Sequence, residues 1–471
     1  SNSIGPGSFS HLWWLLSVTM APFGFTPNNS NDDSSDGSND KSRNENNGGE
    51  NSFDLNNLMA QFQSEIAKLG PFAGGNPFGF ISNLANASAN GEVLPKEIIR
   101  ENAKAAIFSQ GSQPIGANDQ ARIQEAFSIA NIWLDAATVF PSVATDRPAV
   151  SPIDWLNDSI AGWQATMTPL AAGLTDAVTS LIAEATDGAD EIGESGQMAA
   201  AQIGAMGQVL RAFIGQMLAT QLGQVIGAIG NKSTGAHDAA LPLIDPVKPS
   251  LLPQNVDKWG ADLNIPRTEI EIFHALRENA VARLFAANPW LVSYLQSAIT
   301  EYGRGIHIDL DAMQRQAEAA LENGEFDPSN PQGFTIALNS GIFTPEESPA
   351  QKIALEKLET ALALIDGWTD EVITLAAGDR LPTISNLREM LRRERAVNSP
   401  TQQLFRAIFN LEVSPKLARE ASNFFTEIRS SKDIEARDKI WSGILPTEKD
   451  LQEPKKFLTS IEIPDDLSGL L

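Results

Sequence analysis

The chain has no cysteine, which excludes disulfides, thiolate zinc sites and cysteine nucleophiles, and fits a reducing compartment. Only four histidines occur (His11, His237, His274 and His307), so any imidazole-based metal site has few candidates. Tyrosine is limited to two residues, and alternating runs of Val, Ile, Thr and Tyr are missing, which removes the usual strand signal. No G-x-x-x-x-G-K-[ST] phosphate loop and no G-x-S-x-G nucleophile elbow is present. Positive charge is scarce: 34 Lys and Arg stand against 59 Asp and Glu, a formal net charge of −25. That imbalance repels nucleic acid and anionic lipid headgroups and favours a soluble, cytoplasmic protein.

A chain of 471 residues suffices for two or three cooperative units. The apolar run Leu12–Thr19 has no preceding Lys or Arg, no clear cleavage site, and too few residues to span a bilayer. Translation is therefore expected to start at Met20, with residues 1–19 lying upstream of the true start. Residues 27–52 hold almost nothing that can be buried, and ordering them would cost about 1–2 kcal/mol each. Residues 1–52 are accordingly expected to be a disordered segment.

Helical spacing begins with Phe53, Leu55, Leu58, Met59, Phe62, Ile66 and Leu69, followed by an apolar loop from Gly70 to Phe80. It resumes between Pro95 and Pro141, where Asn118-Asp119 is the expected N-cap of a helix carrying Ile123, Phe127 and Leu134. Ser151-Pro152 with Asp154 opens another, carrying Trp155, Ile160 and Trp163. Residues 197–229 form a long helix in which Gly204, Gly215, Gly223 and Gly227 allow a second backbone to come close. Arg211 and the glutamines of this stretch argue against lipid and for a tightly packed interior or inter-subunit helix, the alternative being a membrane-surface or oligomerisation helix. The expected plan is an N-terminal helical region over 53–230, a Pro-rich connector over 231–265 and a C-terminal helical region over 266–471. The stretches at Leu445-Pro446-Thr447 and Ile463-Pro464-Asp465 read as an extended surface tail. The fold class is mainly α.

Two further features take ordinary readings. Arg388, Arg392, Arg393 and Arg395 alternate with Glu389 and Glu394, as on a solvated helix face with i,i+4 pairs. Trp133, Trp155, Trp163, Trp290 and Trp368 suit anchors between packed helices.

The stretch Leu276-Arg277-Glu278-Asn279-Ala280-Val281 carries the most specific signal. In the zinc-protease motif H-E-x-x-H, two histidines at i and i+4 hold the metal while the glutamate takes a proton from metal-bound water. Here the glutamate position is Glu278, the general-base position, but Arg277 and Val281 stand where the histidines would. A guanidinium that keeps its proton and an isopropyl group cannot ligate zinc.

With Phe285 and Pro289-Trp290-Leu291 following, the chain resembles the zincin-like, zinc-dependent metalloprotease-type hydrolases. These are bacterial proteins, one branch of which is associated with deazaflavin-cofactor biosynthesis. Other similar stretches are Asp135 with Phe140-Pro141, Glu301-Tyr302, Phe326-Asp327-Pro328, Ala377 to Pro382, and Trp441 with Leu445-Pro446-Thr447, so the resemblance covers roughly residues 53–460. It implies a multi-helical zincin-like bundle. It also implies an acidic third ligand followed by glycine, a position matched by Asp366-Gly367.

With both histidines replaced, no metal and no cofactor is expected; zinc is expected only if the family's activity is retained. A relocated site using His274 and Asp366 is the alternative ligand set. If Arg277 stands at the first ligand position and Asp366 at the third, the guanidinium can supply the positive charge in place of a metal, with hydrogen bonds to Asp366 or Glu278. The expected role is structural or in protein interaction, through an unidentified protein partner or self-association of the Gly-rich helix. The alternative is an active metallohydrolase with nonstandard ligands.

Overall fold

The computed structural model describes residues 92–187, 193–307, 347–409 and 411–461. The expected helix over 53–69, the apolar loop after it, the disordered segment and the positions at 326–333 and 463–465 all lie outside them.

Helices dominate, and no strand occurs among the described residues; Leu251 makes two isolated bridges, one to Ala149 and one to Gly235. In α1 (Lys96–Ser109) the buried residues Ile99, Ala103 and Ile107 recur every four positions, making one apolar stripe. In α2 (Ala117–Asp135) the expected periodicity holds, with Ile123, Phe127 and Leu134 buried. Its start differs from the Asn118-Asp119 cap: the helix begins at Ala117, and Asp119 sits in the first turn, accepting the Gly116 N–H at 3.2 Å. A carboxylate there satisfies an orphan N–H as well as a cap would.

At the start of α3 (Pro152–Asp187), Ser151 and Asp154 cap each other, Ser151 Oγ accepting the Asp154 N–H at 3.1 Å. Trp155 and Trp163 are fully buried on it. Next comes α4 (Gly193–Gly230), the Gly-rich helix. Two of its glycines are used inside the chain: a Cβ at Gly223 would lie 2.5 Å from the Ile99 carbonyl oxygen, and one at Gly227 2.5 Å from the Ala106 Cβ, while the surroundings of Gly204 lie outside the description. This close face lies against α1. By length and composition Arg211–Gly230 could cross a membrane, but half of it is buried within the protein.

Residues 231–252, the first part of the expected connector, are an irregular but largely buried segment. Asn255, in α5 (Pro253–Gly260), ties it down by donating to the carbonyls of Gly230 and Ser233 at 2.8 and 2.7 Å. Then follow α6 (Arg267–Ala287), α7 (Trp290–Arg304) and α8 (Pro349–Ala377). A Ser348–Gln351 capping box with Pro349 at the first position starts α8. The remaining helices are α9 (Ile384–Asn398), α10 (Pro400–Phe409), α11 (Ala418–Ser431) and α12 (Ile434–Lys439). Two short ones, α13 (Glu448–Gln452) and α14 (Pro454–Ile461), replace the extended tail expected after Leu445. Asp450 accepts from Thr447 at 2.8 Å, which starts α13, and Leu451 and Phe457 are buried, so this end of the chain packs instead of trailing.

At the centre, α6 packs against α2 and α8, and α8 against α11. From Ile270 to Phe285, α6 has almost no solvent-facing side, so its charged residues must find partners inside the bundle.

Candidate functional site

Arg277, Glu278 and Val281 lie on α6, which the bundle surrounds. Arg277 Nη2 donates to Asp366 Oδ1 on α8 at 2.8 Å, bringing together two residues that the motif reading paired. The same oxygen accepts from Arg395 Nη1, on α9, at 2.9 Å. Arg395 Nη2 continues to Asp238 Oδ1 at 2.8 Å, and Asp238 Oδ2 accepts the Thr234 N–H at 2.7 Å. Two guanidiniums and two carboxylates thus close a neutral lattice across α6, α8, α9 and the 231–252 segment.

Electrostatics follow from this sharing. Burial disfavours ionisation of Asp366, but Arg395 and then Arg277 outweigh it and hold the carboxyl below its usual range. Asp238 behaves likewise, with Arg395 and the Thr234 amide overcoming burial. Arg277 is lowered, by burial first and then by Arg395. Val281, one turn on, is buried and apolar.

Glu278 points elsewhere and accepts three hydrogen bonds. Its Oε1 accepts His237 Nδ1–H at 2.8 Å and the Ser250 N–H at 3.0 Å, while Oε2 accepts the His237 N–H at 3.0 Å. A Cβ on Gly235 would collide with Oε2, so the segment approaches the carboxylate as closely as glycine permits. A general base needs an accessible lone pair within reach of water. This carboxylate instead fastens an irregular segment to the central helix.

His274 is buried one turn before Glu278, edge-on to Trp259 with ring centroids 4.7 Å apart. The Thr234 hydroxyl sits 3.1 Å from Asp238 Oδ2 and 3.0 Å from His274 Nδ1. Burial, opposed by Asp238 but reinforced by Arg277 and Arg395, brings the imidazole pKa down to about 3, so the ring is neutral. With the hydroxyl hydrogen given to Asp238, His274 Nδ1–H donates to Thr234 and Nε2 is a bare lone pair. The Nε2 atoms of both His274 and His237 are buried without a hydrogen-bond partner.

Farther along α8 lies a second buried charge network. Asp370 accepts from Arg388 Nη2 at 2.6 Å, Arg392 Nη2 at 2.5 Å and Ser422 Oγ at 2.8 Å. Burial opposes its ionisation, yet these donors bring its pKa down to about 2. Glu371 pairs with Arg429 and Arg437, and Asp438 accepts Trp368 Nε1–H at 2.8 Å. The arginines of α9 therefore do not form the solvated face expected of them. Arg388, Arg392 and Arg395 turn inward to buried acids on α8, and only Arg393 makes the exposed i,i+4 pair, with Glu389. The interleaved glutamates mimic a surface pattern; the acids that draw the arginines inward are remote in sequence.

Gly367 permits this geometry, because a Cβ there would lie 2.6 Å from the Ser422 backbone nitrogen on α11. Of the tryptophans, Trp155, Trp163 and Trp368 are the expected buried anchors, and Trp368 stands edge-on to Trp441 at 6.4 Å. Trp290 is partly exposed, donating its indole N–H to the Trp441 carbonyl at 3.0 Å. His237 and Arg395 had no place in the motif reading. They lie 41 and 118 positions from Glu278 and Arg277, and no spacing rule connects them.

A catalytic zinc needs three protein ligands with one position left for water. The bare Nε2 of His274 is a donor of the right kind, but Asp366 Oδ1 is engaged by two guanidiniums and the Arg277 and Val281 positions offer no lone pair. No group of three or more His, Asp or Glu able to hold a metal ion occurs among the described residues. These residues do not fit the metal.

Residues 97–458 match the family described as zincin-like metallopeptidase. A crystal structure from Chloroflexus aurantiacus, described as a candidate hydrolase with a novel fold, superposes with a TM-score of 0.52 at 13% identity. The match covers 78% of this chain and 98% of that one, a likeness of fold. No curated protein matches the chain.

Proposed function

The chain belongs to the zincin-like metallopeptidase family, and we propose that this member has given up zinc and hydrolysis for a structural or protein-interaction role. The observation that carries this reading is the Arg277–Asp366 hydrogen bond, a fixed cation placed against the acid that the motif offers to a metal. Without a metal, water keeps a pKa near 15.7 instead of about 7, and no group here offsets that difference. Glu278 supports the reading independently, since all its contacts are to donors that hold the 231–252 segment.

A metallohydrolase with nonstandard ligands is the competing reading. It is favoured by the two unpartnered imidazole nitrogens of His237 and His274. Elemental analysis of purified protein separates them. The noncatalytic reading expects substoichiometric zinc and no loss of stability on chelation; one chelator-sensitive metal per chain would overturn it.

A further inference from the structure

We propose that the Arg277 guanidinium binds a carboxylate group at the opening of the four-charge lattice. This rests on the reading that an arginine, not a metal, occupies the site. The side chains of Arg277, Arg395, Asp366 and Asp238 are 10%, 13%, 14% and 18% exposed, so the lattice touches solvent although its residues are largely enclosed.

Among the described residues Arg277 makes one hydrogen bond, from Nη2 to Asp366. Among the described residues nothing accepts from its Nε or Nη1, and neither atom is among the enclosed, unpartnered polar atoms, whereas Nε of Arg283 is. Both therefore keep some accessible surface, although Arg277 as a whole is buried. A guanidinium has two double-donor edges, Nε with Nη2 and Nη1 with Nη2, and Nη2 carries a hydrogen for each. Whichever hydrogen Asp366 takes, one complete edge is left without a protein acceptor among the described residues, and such an edge matches the two oxygens of a carboxylate. The lattice is neutral and two carboxylates already flank the guanidinium. A singly charged, planar anion is accommodated there better than a phosphate dianion. The carboxylate can come from a small free acid or from a peptide C-terminus.

The test uses the full chain after chelator treatment, titrated with acetate, with acetyl-trialanine and with acetyl-trialanine amide. Melting temperature and phenylglyoxal modification of Arg277 are followed. Saturable stabilisation by the acids, absent with the amide and weakened at least about tenfold by Arg277→Met, is expected. Stabilisation by both acids identifies a site for the carboxylate alone, and by the peptide only, a site for a chain terminus. No stabilisation by either acid, equal binding of the amide, or equal binding by Arg277→Met would overturn the proposal. If that variant does not fold, the wild-type chain decides: acetate or acetyl-trialanine must protect Arg277 from phenylglyoxal, and modification unchanged by both acids counts against the site. Zinc in untreated protein would remove the preceding reading by a separate measurement.

Discussion

Glu278 Oε1 accepts the Nδ1 proton of His237 at 2.8 Å, and Oε2 accepts the backbone N–H of the same residue at 3.0 Å. One carboxylate thus holds both ends of a residue 41 positions earlier, and the Ser250 amide closes the segment from its other side. Glu278→Gln keeps the shape but turns one acceptor into a donor facing a donor. A loss of about 2–4 kcal/mol is expected, because a buried group is left unsatisfied. Denaturant unfolding measures it. Unchanged stability together with loss of a hydrolytic activity would show the residue to be catalytic.

The Arg277–Asp366 contact is open to a double-mutant cycle. Arg277→Met leaves Asp366 with Arg395 alone, and Asp366→Leu leaves Arg277 without its protein acceptor. Each is expected to cost about 1–3 kcal/mol, and the double variant less than their sum, since an apolar pair restores packing without stranding a charge. Strict additivity would mean that the two side chains do not interact in solution.

Asp370 makes stability depend on acid. Its folded pKa is about 2, below the roughly 3.9 of an unfolded aspartate. A depressed carboxyl stabilises the fold above its unfolded pKa and loses that contribution as pH falls through the folded one. About 2 kcal/mol should therefore disappear between roughly pH 4 and pH 2. Asp370→Asn, expected to cost about 3–5 kcal/mol at neutral pH, should flatten this part of the profile. Urea midpoints at several pH values give both numbers. An equally steep acid limb in the variant would point to other carboxylates.

The helical class and several helix starts could be read from the chain because they depend on neighbours within four residues. Ser151 with Asp154 and the Trp155–Trp163 face are local patterns, and a local pattern survives in a one-dimensional string. The Asn118-Asp119 cap was displaced by two residues because an acid in the first turn and an acid at the cap satisfy the same amides. The extended tail failed for a related reason: helices of five and eight residues carry too few repeats to show a period.

At the site the sequence alone determined what cannot happen by histidine ligation, since the donor chemistry of Arg277 and Val281 needs no fold to be known. With the family resemblance it offered Asp366 or Glu278 as partners of Arg277, and the structure pairs Arg277 with Asp366. Tertiary structure alone decided the rest: that Glu278 is shut in by His237, that Arg395 shares Asp366, and that the arginines of α9 face inward. Each of these joins residues 18 to 41 positions apart, and burial makes the pairing obligatory, because a charge withdrawn from water without a partner costs several kcal/mol.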